Sequence, residues 1–105
     1  MTTLAKAHLP FFELVATVAK KQCKSIMQSL SKDQVNAICE VLLNVRWSQI
    51  ELSEEDKKMF KRRKSLICLL TTKRTALKLR REKIAQYSTF ISKVLKILID
   101  KIRAA

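Results

Sequence analysis

No glycine occurs anywhere in these 105 residues, and proline occurs once, at Pro10. Tight hairpins and left-handed turns lean on a residue without a Cβ, so an all-β chain of this composition would lack the turns to close it. Helices have no such need. With 48% hydrophobic residues, the chain carries enough apolar side chain to fold despite its charge, and its length supports a single modest core. The sequence therefore predicts one all-α domain over residues 1–105, a compact bundle of five or six short helices, with residues 1–8 an ordered or frayed lead-in.

Pro10 suits the first turn of a helix, where its missing N–H has no bond to lose, and Phe11, Leu14, Val15 and Val18 then recur on one face. This helix is expected to end or bend near Lys20 and Lys21. A further piece turns Cys23, Ile26, Met27 and Leu30 inward and Lys20, Lys21 and Lys24 outward; the pattern fits one kinked helix as well as two. Ser31 and Gln34 have the spacing of a capping box, which opens a helix from Lys32 to about Trp47. Its apolar set, Val35, Ile38, Cys39, Leu42 and Val45 widened by Ala37, Val41 and Leu43, covers more than one side, so this is the expected central helix. Glu40 and Asn44, one turn apart, form either a solvated stripe or a pair that ties down a neighbouring helix end. Trp47 to Leu52 reads as a connection or a frayed end.

Ser53 followed by Glu54, Glu55 and Asp56 is an N-cap with acids in the first turn, where the helix dipole favours them. The helix it opens is expected to run to about Leu70, with Lys57, Lys61 and Lys64 along one line and Met59, Phe60, Leu66 and Ile67 facing the other way. Thr71 and Thr72 mark a turn. The next helix, from about Lys73 to Gln86, is expected to bury Ala76, Leu77 and Ile84 and to expose Arg74, Lys78, Arg81 and Glu82. Beyond a soft boundary at Tyr87 and Ser88, residues 89–104 form an amphipathic C-terminal helix, with Phe90, Ile91, Val94, Leu95, Ile97, Leu98, Ile99 and Ile102 opposite Lys93, Lys96, Lys101 and Arg103.

The charge is concentrated. Between Lys57 and Lys83, twelve cations stand against the single acid Glu82, which gives this stretch +11 of the chain's formal +13. Solubility asks for net charges of roughly 2–8 in a small domain, so a basic face on a folded scaffold points to a polyanion, nucleic acid first. The candidate contacts are Lys57, Lys58, Lys61, Arg62, Arg63, Lys64, Arg74, Lys78, Arg80 and Arg81, with Arg62, Arg63, Arg80 and Arg81 supplying forked contacts. The run from Lys57 to Lys64 also fits a nuclear-import cluster. No Asn or Gln stands among these cations, so the expected mode is phosphate contact without sequence choice, to DNA before RNA. An acidic protein partner would suit the same face. The C-terminal helix could close the core, fit a partner's groove or lie on an anionic membrane.

Other chemistries find little support in the residues. Cys23, Cys39 and Cys68 lie far apart at apolar positions of helical patterns, and His8 stands alone near one end, so neither a zinc site nor a catalytic histidine is expected. The acids cluster where capping accounts for them, and no glycine-rich phosphate loop exists. No enzyme, cofactor or metal is expected. The run from Leu9 to Ala19 is broken by Glu13 and does not fit a secretory leader, and no stretch reaches the roughly 20 apolar residues of a membrane span. The expected location is intracellular, nuclear or virion-associated.

The order of these motifs resembles small basic proteins of adenovirus-like mobile elements of animals, the Maverick or Polinton and adintovirus group. The resemblance rests on the apolar opening Leu9 to Leu14, the step Lys20 to Lys24, the helix Ala37 to Val45 with Glu40 and Asn44, Leu52 and Ser53 leading into Lys57 through Lys64, the second basic segment Arg74 to Lys83, and the apolar tail Phe90 to Ile99. Members typically carry Gly-Gly before the tail, where this chain reads Gln86-Tyr87-Ser88. The resemblance implies a virion- or element-associated role with DNA.

Overall fold

The computed structural model of the protein describes residues 6–46 and 52–104, the side chains of 46 and 102–104 excepted. Seven α-helices and no strand occur among the described residues: α1 Leu9–Thr17, α2 Lys20–Met27, α3 Lys32–Arg46, α4 Glu54–Arg62, α5 Lys64–Thr71, α6 Leu77–Gln86 and α7 Ser88–Ala104. The all-α expectation holds, with seven helices in place of five or six. Most of the connection expected from Trp47 to Leu52 lies outside the described residues, as do the side chains of Ile102 and Arg103.

Pro10 sits in the first turn of α1, but the buried face is offset from the expected one. Phe12 and Val15 are fully buried, whereas Leu14 is 50% exposed. The cause is α7, against which α1 packs; the Ser92 hydroxyl donates to the Val15 carbonyl at 3.3 Å and fixes that face. Val18 and Ala19 are both extended, with ψ of 159° and 155°, so the break falls just before Lys20 and makes two helices. Cys23 and Met27 of α2 are buried, as expected.

The capping box of α3 is reciprocal. The Ser31 N–H donates to Gln34 Oε1 at 2.9 Å and the Gln34 N–H donates to Ser31 Oγ at 3.2 Å. Ser31→Ala should lower unfolding stability by about 1 kcal/mol in urea titrations, and an unchanged midpoint would show that the cap contributes nothing. Val35, Ala37, Ile38, Cys39, Val41, Leu42 and Val45 are all buried, because α3 is packed against α5, α6 and α7 together. Glu40 and Asn44 do not form a solvated stripe. Both are half-buried, and Asn44 Nδ2 is buried without a hydrogen-bond partner among the described residues.

Ser53 caps α4 as expected, its hydroxyl accepting from the Asp56 N–H at 3.2 Å. The single helix expected from here to Leu70 is two, broken at Arg63 (φ −107°, ψ 20°). Every residue from Lys61 to Lys64 is a good helix former, so the break is a tertiary effect. It lets Phe60 meet Phe90 of α7 edge-on, ring centroids 5.5 Å apart, while α5 packs on α3 with Leu66, Ile67 and Leu70 buried.

Three threonine hydroxyls close α5. Thr71 donates to the Ile67 carbonyl at 2.7 Å, Thr72 to Cys68 at 2.5 Å and Thr75 to Leu69 at 2.7 Å, satisfying carbonyls that the helix end would leave open. The turn at Thr71 and Thr72 is therefore real, but it extends through Ala76, and α6 begins at Leu77 rather than Lys73. Ala76 is exposed, not buried.

Phe90, Ile91, Val94, Leu95, Leu98 and Ile99 of α7 are buried in the core, so the apolar face of this helix closes the bundle. Among the described residues no helix is long and apolar enough to cross a membrane. All three cysteines are free thiols, Cys23 and Cys39 buried and Cys68 half-buried. Burial pushes the Cys39 thiol up to about 11, with the charge of Arg80 pulling the other way; burial also raises Cys23, opposed by a hydrogen bond with Ser92. A thiol held protonated is a poor nucleophile. Iodoacetamide at about pH 8 should therefore label Cys68 more than tenfold faster than Cys39 in the folded protein, a difference expected to vanish in urea.

Candidate nucleic-acid interface

The breaks in the basic stretch decide where its cations go. Lys57, Lys58, Lys61 and Arg62 are exposed on α4, Arg63 is exposed at the corner and Lys64 opens α5. Without the corner, these side chains would wind along one rod. With it, the Arg63 guanidinium lies over the Tyr87 ring, 5.3 Å from its centroid, a contact worth about 0.5–1 kcal/mol at exposed sites. That contact joins the α4–α5 corner to the α6–α7 corner. Lys83, one turn before Tyr87, is half-buried and donates through Nζ to Gln86 Oε1 at 3.5 Å. Residues Lys61 to Lys64 and Lys83 thus belong to one neighbourhood.

The second half of the predicted set divides. Arg63 at the start of α5 meets Tyr87 at the end of α6, so the two helices run antiparallel, and Lys73, Arg74 and Lys78 lie at the far end of the pair. They are exposed, but the eight residues of α5 separate them from the corner by about 12 Å.

Arg80 and Arg81 are not simply presented to solvent, where exposure was expected for Arg81 and forked anion contacts for both. Both are half-buried. An Arg80 Nη donates to the Thr72 carbonyl at 2.6 Å, and its Nε is buried without a partner among the described residues. Arg81 Nε donates to the Leu30 carbonyl at 2.8 Å, tying α6 to the connection between α2 and α3. These arginines hold the fold, and the exposed forks are Arg62 and Arg74, with Arg63 exposed over the Tyr87 ring.

Among the described residues no carboxylate is paired with Lys61, Arg62, Arg63, Lys64 or Lys83. The ion pair from Lys57 Nζ to Glu54 Oε1, at 3.3 Å, is an exposed pair within one turn, worth little. No group of three His, Cys, Asp or Glu among the described residues stands close enough to hold a metal ion.

A groove of about 370 Å³ between α2 and α6 adds residues that the sequence reading did not select. Lys24, Gln28, Arg81, Glu82, Ala85 and Gln86 line it. Two carboxamides thus stand beside two cations, at positions outside the Lys57–Lys83 stretch, which itself holds no Asn or Gln. The spacing of Lys24 and Gln28, i and i+4, signals a shared face of α2, but only the packing of α2 on α6 brings that face to Arg81 and Gln86. Comparisons of the chain with protein-family models, with curated proteins and with solved structures find no significant match.

Proposed function

We propose that this protein is a non-enzymatic nucleic-acid-binding domain that contacts phosphates with little sequence preference, on DNA before RNA. One observation supports the reading: the Arg63 guanidinium at the helix break lies over the Tyr87 ring, with Lys61, Arg62 and Lys64 its exposed neighbours in sequence and Lys83 one turn before Tyr87, and no carboxylate of the described residues is paired to any of these cations. Like charges gathered this way repel one another, and a polyanion relieves that repulsion while releasing its condensed counterions. Arg62 and Arg63 can each give a phosphate two parallel N–H bonds, and the lysines act as point charges. The resemblance to small basic proteins of adenovirus-like mobile elements supports DNA as the polyanion and a nuclear or virion-associated setting.

Competition tests the reading against its nearest rival, an acidic protein partner. A fluorescent duplex bound to the protein should be displaced by unlabelled DNA at far lower charge-equivalent concentration than by polyglutamate. Displacement by polyglutamate at equal or lower charge concentration would transfer the face to an acidic protein.

A further inference from the structure

The groove between α2 and α6 differs in kind from the cationic corner. A surface built only for phosphate needs cations and backbone N–H groups. This groove instead has mostly apolar walls, made by Ala85 and the aliphatic stems of its polar lining residues, and those residues, Gln28, Gln86, Glu82, Arg81 and Lys24, carry two carboxamides and a carboxylate as well as two cations. A carboxylate repels a phosphate at close range but accepts from an exocyclic amino group, and a carboxamide offers donor and acceptor side by side, which matches the edge of a nucleobase. The volume, about 370 Å³, falls within the roughly 300–1,000 Å³ of small-molecule pockets.

Two of the five polar groups are already held. Arg81 is fixed through Nε on the Leu30 carbonyl, which leaves the N–H groups of its two terminal nitrogens for a ligand with less rotamer freedom left to lose. Gln86 accepts from Lys83 through Oε1, which leaves its amide nitrogen to donate. The next residue, Tyr87, carries the Arg63 guanidinium over its ring. The last turn of α6 is therefore a shared wall, with the groove on one flank and the corner cations on the other.

We propose that this groove receives one unpaired nucleobase bearing an exocyclic amino group, cytosine, adenine or guanine but not thymine, from a single strand whose phosphates lie on the corner cations. A paired base hides the edge that the amides and Glu82 would read, so a duplex can use the corner but not the groove. The inference rests on the nucleic-acid reading above and adds a base preference to it.

The test is fluorescence anisotropy with short labelled oligo(dC), oligo(dA), oligo(dT) and an abasic strand of equal length at one salt concentration. Wild type is expected to bind oligo(dC) or oligo(dA) about tenfold more tightly than oligo(dT) and the abasic strand, the range of one good base-edge contact. The double variant Gln28→Ala, Gln86→Ala, and separately Glu82→Gln, should erase that preference while the dependence on salt stays the same. All three side chains are exposed, and equal melting temperatures would establish that the variants fold. Equal affinity of wild type for all four strands, with salt-dependent binding retained, would overturn the base site and leave phosphate contact standing. A preference that survives in the folded variants would also overturn it. Absence of binding to any strand or duplex at low salt would remove both readings.

Discussion

Replacing Lys61, Arg62, Arg63 and Lys64 together by glutamate should lower affinity for duplex DNA at least about a hundredfold at about 100 mM salt, equally for unrelated sequences. Each lost phosphate contact should also flatten the plot of log affinity against log salt by about 0.9. All four side chains are exposed, none donates a side-chain hydrogen bond within the described fold, and the Arg63 guanidinium lies over the Tyr87 ring. The structural cost is therefore small, although acids in the last turn of α4 oppose the helix dipole by a few tenths of a kcal/mol each. Glutamine at the same four positions should give roughly half the effect on binding with almost none on folding. Arg80→Ala and Arg81→Ala should behave in the opposite way. Each loses a charged hydrogen bond to a backbone carbonyl, worth about 1.5–3 kcal/mol, so melting temperature should fall while the salt slope changes little. If Arg80 and Arg81 reduced binding more than the corner residues did, the anion would lie along α6 rather than at the corner.

The second large effect concerns the core. Leu42→Ala should cost about 2–5 kcal/mol, a large part of the roughly 5–15 kcal/mol that holds a domain of this size. Leu42 is fully buried on α3, the helix packed against α5, α6 and α7 at once, so the void it leaves cannot be closed by the movement of one neighbour. Urea unfolding followed by helical circular dichroism gives the number. Leu14→Ala, at a position 50% exposed, is the control and should stay within about 0.5 kcal/mol of wild type. A loss below about 1 kcal/mol for Leu42→Ala would mean that α3 is not the centre of the bundle. Because the helices that carry the α4–α5 and α6–α7 corners are held in place by packing on this core, Leu42→Ala should also weaken DNA binding near the unfolding midpoint and not below it.

The helical class, the two serine caps and the central helix were legible in the residues, since each depends on local chemistry: missing glycine, a hydroxyl three residues before its amide, a wide apolar band. The breaks were not. Nothing from Lys61 to Lys64 disfavours a helix, and the bend at Arg63 arises because Phe60 and the set Leu66, Ile67 and Leu70 pack on different neighbours. The α6 start at Leu77 was hidden in the same way, because Lys73 and Arg74 are ordinary helix formers and the three threonine hydroxyls that end α5 are satisfied only in the folded turn. Of the candidate contacts, the corner residues were named correctly as exposed cations. Arg80 and Arg81 were misread as free forks, since their carbonyl partners Thr72 and Leu30 are eight and fifty-one residues away. Gln28 and Gln86 went unselected because they lie outside the charged stretch and share a groove only through the packing of α2 on α6.

Titration of wild-type affinity for duplex DNA across ionic strength bears most directly on phosphate contact at the Arg63 corner. About five contacts, from Lys61, Arg62, Arg63, Lys64 and Lys83, predict a slope near −4.5 on logarithmic axes at about 0.9 per contact. A slope near zero, or no binding at about 50 mM salt where counterion release is strongly favourable, would contradict it.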